Sequence, residues 1–187
     1  MDVQSTEALA DLTVVGDHES EGFFYAAWGI PAVRYLLDQL NGEIQDFTFV
    51  DYGSGMGVAL LAASHYPFRE IIGVEFAQEL NEIAEENIRR YTAPGKICER
   101  VHSVCADAAE FEVPSNDCVI YFCNPFTEIL MRKVISNIEE SHRKHGQKIF
   151  ALFFQFRREG VETSADTGGL LEAADFLTRR PLKRRPP

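Results

Sequence analysis

Three glycines at alternate positions, Gly53, Gly55 and Gly57, constrain this chain more than any other feature. The run that ends at Val50 before them is β-branched and aromatic and suits a buried strand, whereas residues 58–66 are rich in alanine and leucine and suit a helix. Because glycine has no Cβ, the backbone between the two elements can take positive φ and a bound molecule can approach it closely. The unpaired amides of the first helical turn also favour an anionic group nearby. The sequence therefore predicts a ligand seat between a strand and a helix.

The spacing of the glycines distinguishes two kinds of nucleotide-binding turn. A dinucleotide fingerprint, G-x-G-x-x-G, would need a glycine at Val58, but the third glycine arrives one residue earlier, at Gly57. The chain instead has one acid, Asp51, two residues before the first glycine, and a second acid, Glu75, at the end of the next apolar run. This ordered set, within residues 47–156, resembles the class I S-adenosylmethionine-dependent methyltransferases.

The resemblance implies an α/β fold with a doubly wound, mostly parallel, Rossmann-like sheet, and S-adenosyl-L-methionine as the cofactor. The alternation of the sequence predicts the same architecture, because strands expected at 48–50, 70–76, 101–105, 118–123 and 148–156 alternate with helices expected at 26–40, 58–66, 77–91 and 128–144. The fourth strand has no polar interruption, which is typical of a central strand covered on both faces.

Two segments carry finer predictions. The helix at 77–91 is expected to turn one stripe toward the sheet, formed by Leu80, Ile83, Ala84, Asn87, Ile88 and Tyr91. Near the end of the chain, the spacing of Leu170, Leu171, Ala174 and Leu177 predicts a helix over 168–176, which leaves 176–182 for one further strand. Class I methyltransferases usually add two, so the sheet is predicted to be reduced at its C-terminal end.

The length of 187 residues suits one well-buried domain, which we place at residues 21–178. Residues 1–20 are polar and acidic and are expected to form a loosely ordered lead-in. Residues 179–187 form a basic tail, which is either simply solvated or binds an anion or a partner. No signal peptide or membrane-spanning run is evident, so the sequence predicts a cytoplasmic protein without a membrane partner.

Charge and cysteine spacing exclude some classes of function. A net charge of −11 argues against nucleic acid as a partner, because proteins that bind it usually have a basic footprint. The four cysteines contain no C-x-x-C pair. His142 and His145 lie three residues apart and could form a metal pair, but they belong to a charged helix segment that is expected to be a solvated face, so no metal site is predicted.

Polar side chains follow the strands where a ligand would lie in an open α/β sheet, at the carboxyl ends. Glu75 offers acceptors to two ribose hydroxyls, and Asp107 with the amide of Ala108 can pair with an adenine edge. The family implies the same roles, with Asp51 near the methionine ammonium and Phe76 beside the adenine. An alternative for Asp107 is a simple helix N-cap. The predicted cofactor-binding residues are Asp51, Tyr52, Gly53, Ser54, Gly55, Gly57, Glu75, Phe76, Asp107, Ala108 and Asn124.

The methyl acceptor is expected next to Asn124, Pro125 and Phe126, which follow the fourth strand. An amide and neighbouring carbonyls can hold an N–H group there, and the phenyl ring can stack on a planar or cationic acceptor. The turn is similar to the N-P-P-F/Y signature of amino-group methyltransferases but has one proline fewer. The alternative is that Pro125 only ends the strand and Phe126 only fills the core.

The sequence therefore predicts an S-adenosylmethionine-dependent methyltransferase with an unidentified acceptor, a protein lysine or other amine, or a small molecule. Transfer needs alignment and exclusion of water rather than a nucleophilic triad. A non-catalytic adenine-nucleotide or NAD-binding Rossmann module is the alternative.

The aromatic segment 21–29 is a candidate lid over the cofactor, or packs on the edge of the sheet.

Overall fold

A single twisted sheet of seven strands organises the protein, in the order β3-β2-β1-β4-β5-β6-β7. The computed structural model describes residues 30–40, 44–123, 126–155, 170–175 and 180–181. The first five strands are parallel, whereas β6 is antiparallel to β5 and β7 is antiparallel to β6. The order of the strands reverses between β1 and β4, which are neighbours in the sheet.

The elements follow the predicted alternation closely. The strands are β1 (Thr48–Tyr52), β2 (Glu70–Glu75), β3 (Val101–Cys105), β4 (Cys118–Cys123), β5 (Ile149–Gln155), β6 (Leu170–Asp175) and β7 (Arg180–Pro181). The helices are α1, described over 30–37, α2 (Val58–Ala63), α3 (Gln78–Arg90) and α4 (Glu128–His145).

The two faces of the sheet carry separate apolar cores, as in a doubly wound fold. Side chains of α1 and α2 pack with Phe49 and Ile71 on one face, and the end of α3 joins them through Tyr91. The buried residues of α4 pack with Val50 and Ile120 on the other face. Since β1 and β4 are fully buried for most of their length, their uninterrupted apolar sequence is explained by cover on both sides.

The prediction of a helix over 168–176 is wrong. Residues Leu170–Asp175 form a strand whose backbone pairs antiparallel with β5, with Leu171 opposite Phe154. The open edge of β5 offers a complete ladder of hydrogen-bonding groups, and this long-range pairing outweighs the helical spacing of a short apolar segment. The one further strand expected within 176–182 is present as the two-residue β7, so two strands follow β5.

The predicted stripe of α3 is confirmed except at its first residue. Ala84 and Tyr91 are buried, and Ile83, Asn87 and Ile88 are half-buried. Leu80 is 36% exposed, whereas its neighbour Asn81 is only 9% exposed and its amide donates a hydrogen bond of 2.8 Å to the Ser103 hydroxyl on β3. This polar contact could not be predicted from apolar periodicity.

Several predictions concern residues outside the described ranges. These are the lead-in at 1–20, the candidate lid at 21–29, residues 26–29 of the first helix and most of the basic tail. Within the described residues, no helix is both long and apolar enough to cross a membrane.

Gly73 in the middle of β2 is a close-packing position, and it gives a test of the core. A Cβ at this position would lie 2.6 Å from the Ser54 Oγ and 2.7 Å from the Leu60 Cδ1. We expect Gly73→Ala to lower the free energy of unfolding by about 1–3 kcal/mol, measured by urea denaturation, because overpacking forces its neighbours to shift. In a Leu60→Ala background, which removes one of the two clashing groups, the penalty should shrink. Equal penalties in both backgrounds would contradict the crowding.

Candidate functional site

The glycine turn lies at the carboxyl ends of β1 and β2, beside the point where the order of the strands reverses. Gly53, Gly55 and Gly57 all have positive φ, at 81°, 52° and 83°. The amides of Gly53 and Ser54 donate to the Val74 carbonyl at 2.8 and 3.2 Å, so the turn is bonded to β2. The predicted ligand seat is thus a left-handed backbone turn that only glycine adopts easily.

The three glycines have different surroundings. A Cβ on Gly53 would lie 3.5 Å from the Phe126 ring, and one on Gly57 would lie 3.2 Å from the Ala84 Cβ. A Cβ on Gly55 would meet no atom within 4 Å. The outer two glycines therefore allow close packing within the protein, and Gly55 is the one that faces open space.

Glu75 joins the turn to the start of α3. Its Oε2 accepts a hydrogen bond of 2.9 Å from the Gly55 amide, and its Oε1 accepts one of 2.9 Å from the Ala77 amide. The residue is 9% exposed. Each carboxylate oxygen can accept a second hydrogen bond, so a ligand hydroxyl can be bound without breaking these contacts.

Asp51 is buried beneath the turn with an unsatisfied carboxyl oxygen. It is 2% exposed, and its Oδ1 has no hydrogen-bond partner among the described residues. Burial, and then the negative charge of Glu75, raise the pKa of Asp51 from 3.8 to about 8. An unpaired buried carboxylate is costly, so the position calls for a cation or a hydrogen-bond donor that the described part of the chain does not supply.

The residues predicted for the adenine end lie at the outer strands. Phe76 directly follows β2 and is 80% exposed, and Ala108 is buried. Asp107 follows β3, is exposed, and accepts a hydrogen bond of 2.8 Å from the Ala109 amide through its Oδ1. Asp107 therefore caps the following turn, as the alternative proposed, and still lies at the same edge of the sheet as Glu75.

Tyr52 and Ser54 differ in what they can offer to a ligand. The Tyr52 side chain is buried on the α4 face, stacked on Phe122 at 5.5 Å, so only its backbone borders the turn. Burial raises its pKa, and its hydroxyl has no partner among the described residues. The Ser54 hydroxyl lies 3.5 Å from the Ser103 hydroxyl on β3.

The predicted acceptor turn is described only at its last residue. Asn124 and Pro125 lie outside the described residues. Phe126 is half-buried against the α4 core and lies over Gly53. The phenyl ring therefore borders the glycine turn, so the end of β4 and the end of β1 share one site.

Comparison with known proteins identifies the family of this chain. The family model described as "Histone methylation protein DOT1" matches residues 23–152, well over half of the chain. The chain belongs to this family. No curated protein sequence matches it.

Solved structures agree with the DOT1 assignment at the level of the fold. A SAM-dependent methyltransferase from Aquifex aeolicus has a TM-score of 0.53 at 16% identity, with 71% of this chain and 68% of that one covered. The glycopeptide N-methyltransferase MtfA, complexed with S-adenosyl-L-methionine, has a TM-score of 0.52 at 14% identity, covering 78% of this chain and 65% of that one. Geranyl diphosphate methyltransferase, in complex with GPP and sinefungin, has a TM-score of 0.50 at 16% identity, covering 70% and 47%.

The chain spans about half to two thirds of the length of these structures. The predicted relation to class I S-adenosylmethionine-dependent methyltransferases and the Rossmann-like fold are confirmed by the family model and the structural neighbours. The predicted enzyme class and cofactor agree with the same family.

The described side chains fit the cofactor of such methyltransferases. The methionine part of S-adenosylmethionine carries an ammonium group, which is the kind of partner that the buried Oδ1 of Asp51 lacks. The open face of Gly55 leaves room for a ligand against the backbone. Together these two features of the polypeptide support a cofactor seat at this turn.

Helix α3 contains the site residues that sequence reasoning missed. The Asn87 amide donates a hydrogen bond of 2.9 Å to the Met56 carbonyl, and Asn81 contacts Ser103, which lies beside Ser54. The sequence feature that could have pointed to Asn87 is an asparagine within an apolar helix stripe, because a buried amide needs a hydrogen-bond partner. The identity of that partner depends on packing between distant segments, so the sequence alone does not reveal it.

The buried charge of Asp51 predicts how stability depends on pH. Between pH 3.8 and about 8 the folded chain keeps a proton that the unfolded chain has released, so the stability of the ligand-free protein falls as pH rises through this range. Asp51→Asn cannot ionise. We therefore expect the melting temperature of this variant, relative to the wild type, to increase steadily from about pH 5 to about pH 8.

Asp46→Asn is the matched control, because Asp46 is an exposed carboxylate just before β1. Its melting temperature relative to the wild type should change much less over the same pH range. A difference between Asp51→Asn and the wild type that does not vary with pH would contradict an uncompensated charge at Asp51.

Proposed function

We propose that this protein binds S-adenosyl-L-methionine across the carboxyl ends of β1, β2 and β3 and transfers its methyl group to an amine. The observation that carries the proposal is the buried Asp51 carboxyl beneath an open glycine turn, since its Oδ1 has no hydrogen-bond partner in the described part of the chain. A structural turn between a strand and a helix needs no buried charge, whereas a seat for a zwitterionic nucleoside does.

Each part of the cofactor has a complementary group in this arrangement. Asp51 would hold the ammonium group, and the free lone pairs of Glu75 would accept hydrogen bonds from the ribose hydroxyls. Asp107 with the Ala108 amide would face the adenine edge, and the exposed Phe76 ring would cover the adenine. The backbone at Gly53, Ser54 and Gly55 would line the methionine part.

The protein's own contribution to the reaction is alignment. When bound, the cofactor would supply a methyl group on a cationic sulfur: the lone pair of the neutral acceptor amine would form the new C–N bond as the C–S bond breaks, the sulfur would leave as a neutral thioether, and the amine proton would pass to bulk water. The turn would hold the methionine part of the cofactor, and Phe126 over Gly53 would form an apolar wall beside it. Asn124 and Pro125 are proposed to position the acceptor, as the sequence predicts.

A lysine amine of a basic protein is the acceptor that we favour. The family is described by histone methylation, and a net charge of −11 favours encounter with a basic polypeptide. An aromatic ring at the end of β4 suits a cationic or newly methylated amine. A cytoplasmic location and the absence of a nucleic-acid partner stay predictions from the sequence.

Thermal shift with two nucleotides tests the cofactor assignment. We expect S-adenosylhomocysteine at about 100 times its dissociation constant to raise the melting temperature by about 5–10 °C, because the folded state alone binds it. NAD at the same concentration should leave it unchanged. Stabilisation by NAD alone would favour the dinucleotide-binding alternative.

Transfer of labelled methyl groups to histones, but not to free small amines, would then establish the class of acceptor.

A pair of glycine variants tests the position of the seat. Gly55→Val places a branched side chain in the open space above the turn, and we expect it to abolish binding of S-adenosylhomocysteine in calorimetry. Gly146→Val is the matched control, because Gly146 at the end of α4 also has positive φ, 71°, and open space around it. Both variants should lose about 1–3 kcal/mol of stability from the strained backbone, and only Gly55→Val should lose binding. Equal affinity in the two variants would reject the turn as the seat.

A further inference from the structure

Helix α3 is connected to every residue of the glycine turn from Ser54 to Gly57. The contacts at Met56 and Gly57 come from side chains of α3 itself, and those at Ser54 and Gly55 run through Ser103 on β3 and Glu75 at the end of β2. Such contacts are unexpected for a turn whose only task is to join β1 to α2.

The contact at Met56 is the most specific. The Asn87 side-chain amide reaches across from the third turn of α3 and donates a hydrogen bond of 2.9 Å to the Met56 carbonyl. Met56 lies between Gly55 and Gly57, so this bond fixes the peptide that joins the two glycines. The opposite orientation of the amide would place two oxygens against each other, so only the donating orientation is compatible with the contact.

The contact at Gly57 is steric. The Ala84 Cβ would lie 3.2 Å from a Cβ at Gly57, so the helix touches the backbone of the turn one helical turn before Asn87. Ala84 is fully buried. Asn87 and Ala84 lie three residues apart and therefore share one face of α3.

The other two residues of the turn are held through β2 and β3. Glu75 binds the Gly55 amide with one oxygen and the Ala77 amide at the start of α3 with the other. Asn81 donates to the Ser103 hydroxyl at 2.8 Å, and that hydroxyl lies 3.5 Å from the Ser54 hydroxyl. The turn and the helix are thus connected at four consecutive residues.

A turn with three glycines has more backbone freedom to lose on ordering than a turn of residues that carry a Cβ. If it had to become ordered when the cofactor binds, that ordering would reduce the affinity. Contacts from a packed helix remove the freedom beforehand. The binding energy of the cofactor is then not spent on ordering the turn.

We propose that Asn87 is a positioning residue, which holds the glycine turn in its binding conformation from α3 and thereby sets the affinity for the cofactor. The proposal rests on the proposed function of the turn as the cofactor seat. Asn87 acts through the Met56 carbonyl and does not itself touch the reacting atoms.

The test compares variants of Asn87 by calorimetry with S-adenosylhomocysteine. Asn87→Leu keeps the approximate size of the side chain and removes the donor, and we expect its dissociation constant to rise about five- to tenfold. Asn87→Gln restores an amide donor and should recover part of the affinity. If Asn87→Leu does not fold, Asn87→Ala provides the same comparison without a donor.

Asn116→Leu is the matched control for stability. The Asn116 amide donates to the Thr48 hydroxyl at 3.0 Å and to the Asp46 carbonyl at 3.2 Å, at the opposite end of β1. Both leucine variants remove a structural amide and should lower the melting temperature, but only Asn87→Leu should weaken binding. Equal dissociation constants for Asn87→Leu and the wild type would overturn the positioning role.

Hydrogen exchange of the ligand-free protein separates this proposal from the proposed function. In Asn87→Leu, but not in Asn116→Leu, the amides of residues 54–57 should exchange faster than in the wild type. Unchanged exchange would overturn the positioning role even if the cofactor binds. A wild-type protein that binds no S-adenosylhomocysteine, with exchange altered as expected, would instead reject the proposed function.

Discussion

The two hydrogen bonds of the Glu75 carboxylate are the contacts on which the arrangement of the site depends. One oxygen binds the glycine turn at Gly55, and the other binds the start of α3 at Ala77. The carboxylate lies at the end of β2, a strand paired with β1 on one side and β3 on the other, so it joins a glycine turn and a helix terminus to the sheet. A single acid can do this because each carboxylate oxygen accepts hydrogen bonds independently. The remaining lone pairs then face the space where a ligand would lie.

Asp51 lies close to Glu75, and this proximity has an energetic cost. Burial raises the pKa of Asp51, and the negative charge of Glu75 at the end of the neighbouring strand raises it further, to about 8. A chain selected only for stability would place an apolar residue at such a position. The cost is understandable if a cation binds there, because the same burial that destabilises the unpaired charge strengthens its attraction to an ammonium group. Stability of the ligand-free protein and affinity for the ligand are therefore opposed at this residue.

Much of the fold could be predicted from local sequence. The bounds of β3 and β4 agree with the prediction at both ends, because a short apolar run between polar turns has few alternatives in a doubly wound sheet. The segment 170–175 could not be predicted in this way, since its spacing suits a helix and its strand pairing depends on the open edge of β5. The exposure of Leu80 on α3 could not be predicted for a similar reason. Asn81 faces the sheet in its place and donates to Ser103, and these residues are brought together only by the completed sheet.

The residues of the candidate site also fall into two groups, those that could be predicted from the sequence and those that could not. Asp51, the three glycines and Glu75 could be found from the sequence because each residue type is required by its own position, at the end of a strand or in a left-handed turn. The residues that hold the turn in place are not marked in this way. Ala84 and Asn87 are ordinary helix residues, and their importance follows from how closely α3 approaches the turn. Residues that contact a ligand are thus restricted by chemistry that a sequence reveals, whereas residues that position them are restricted by packing that only the folded chain reveals. A family pattern built on the first kind therefore leaves open how tightly a given member binds, since the second kind determines how well the turn is ordered before the ligand arrives.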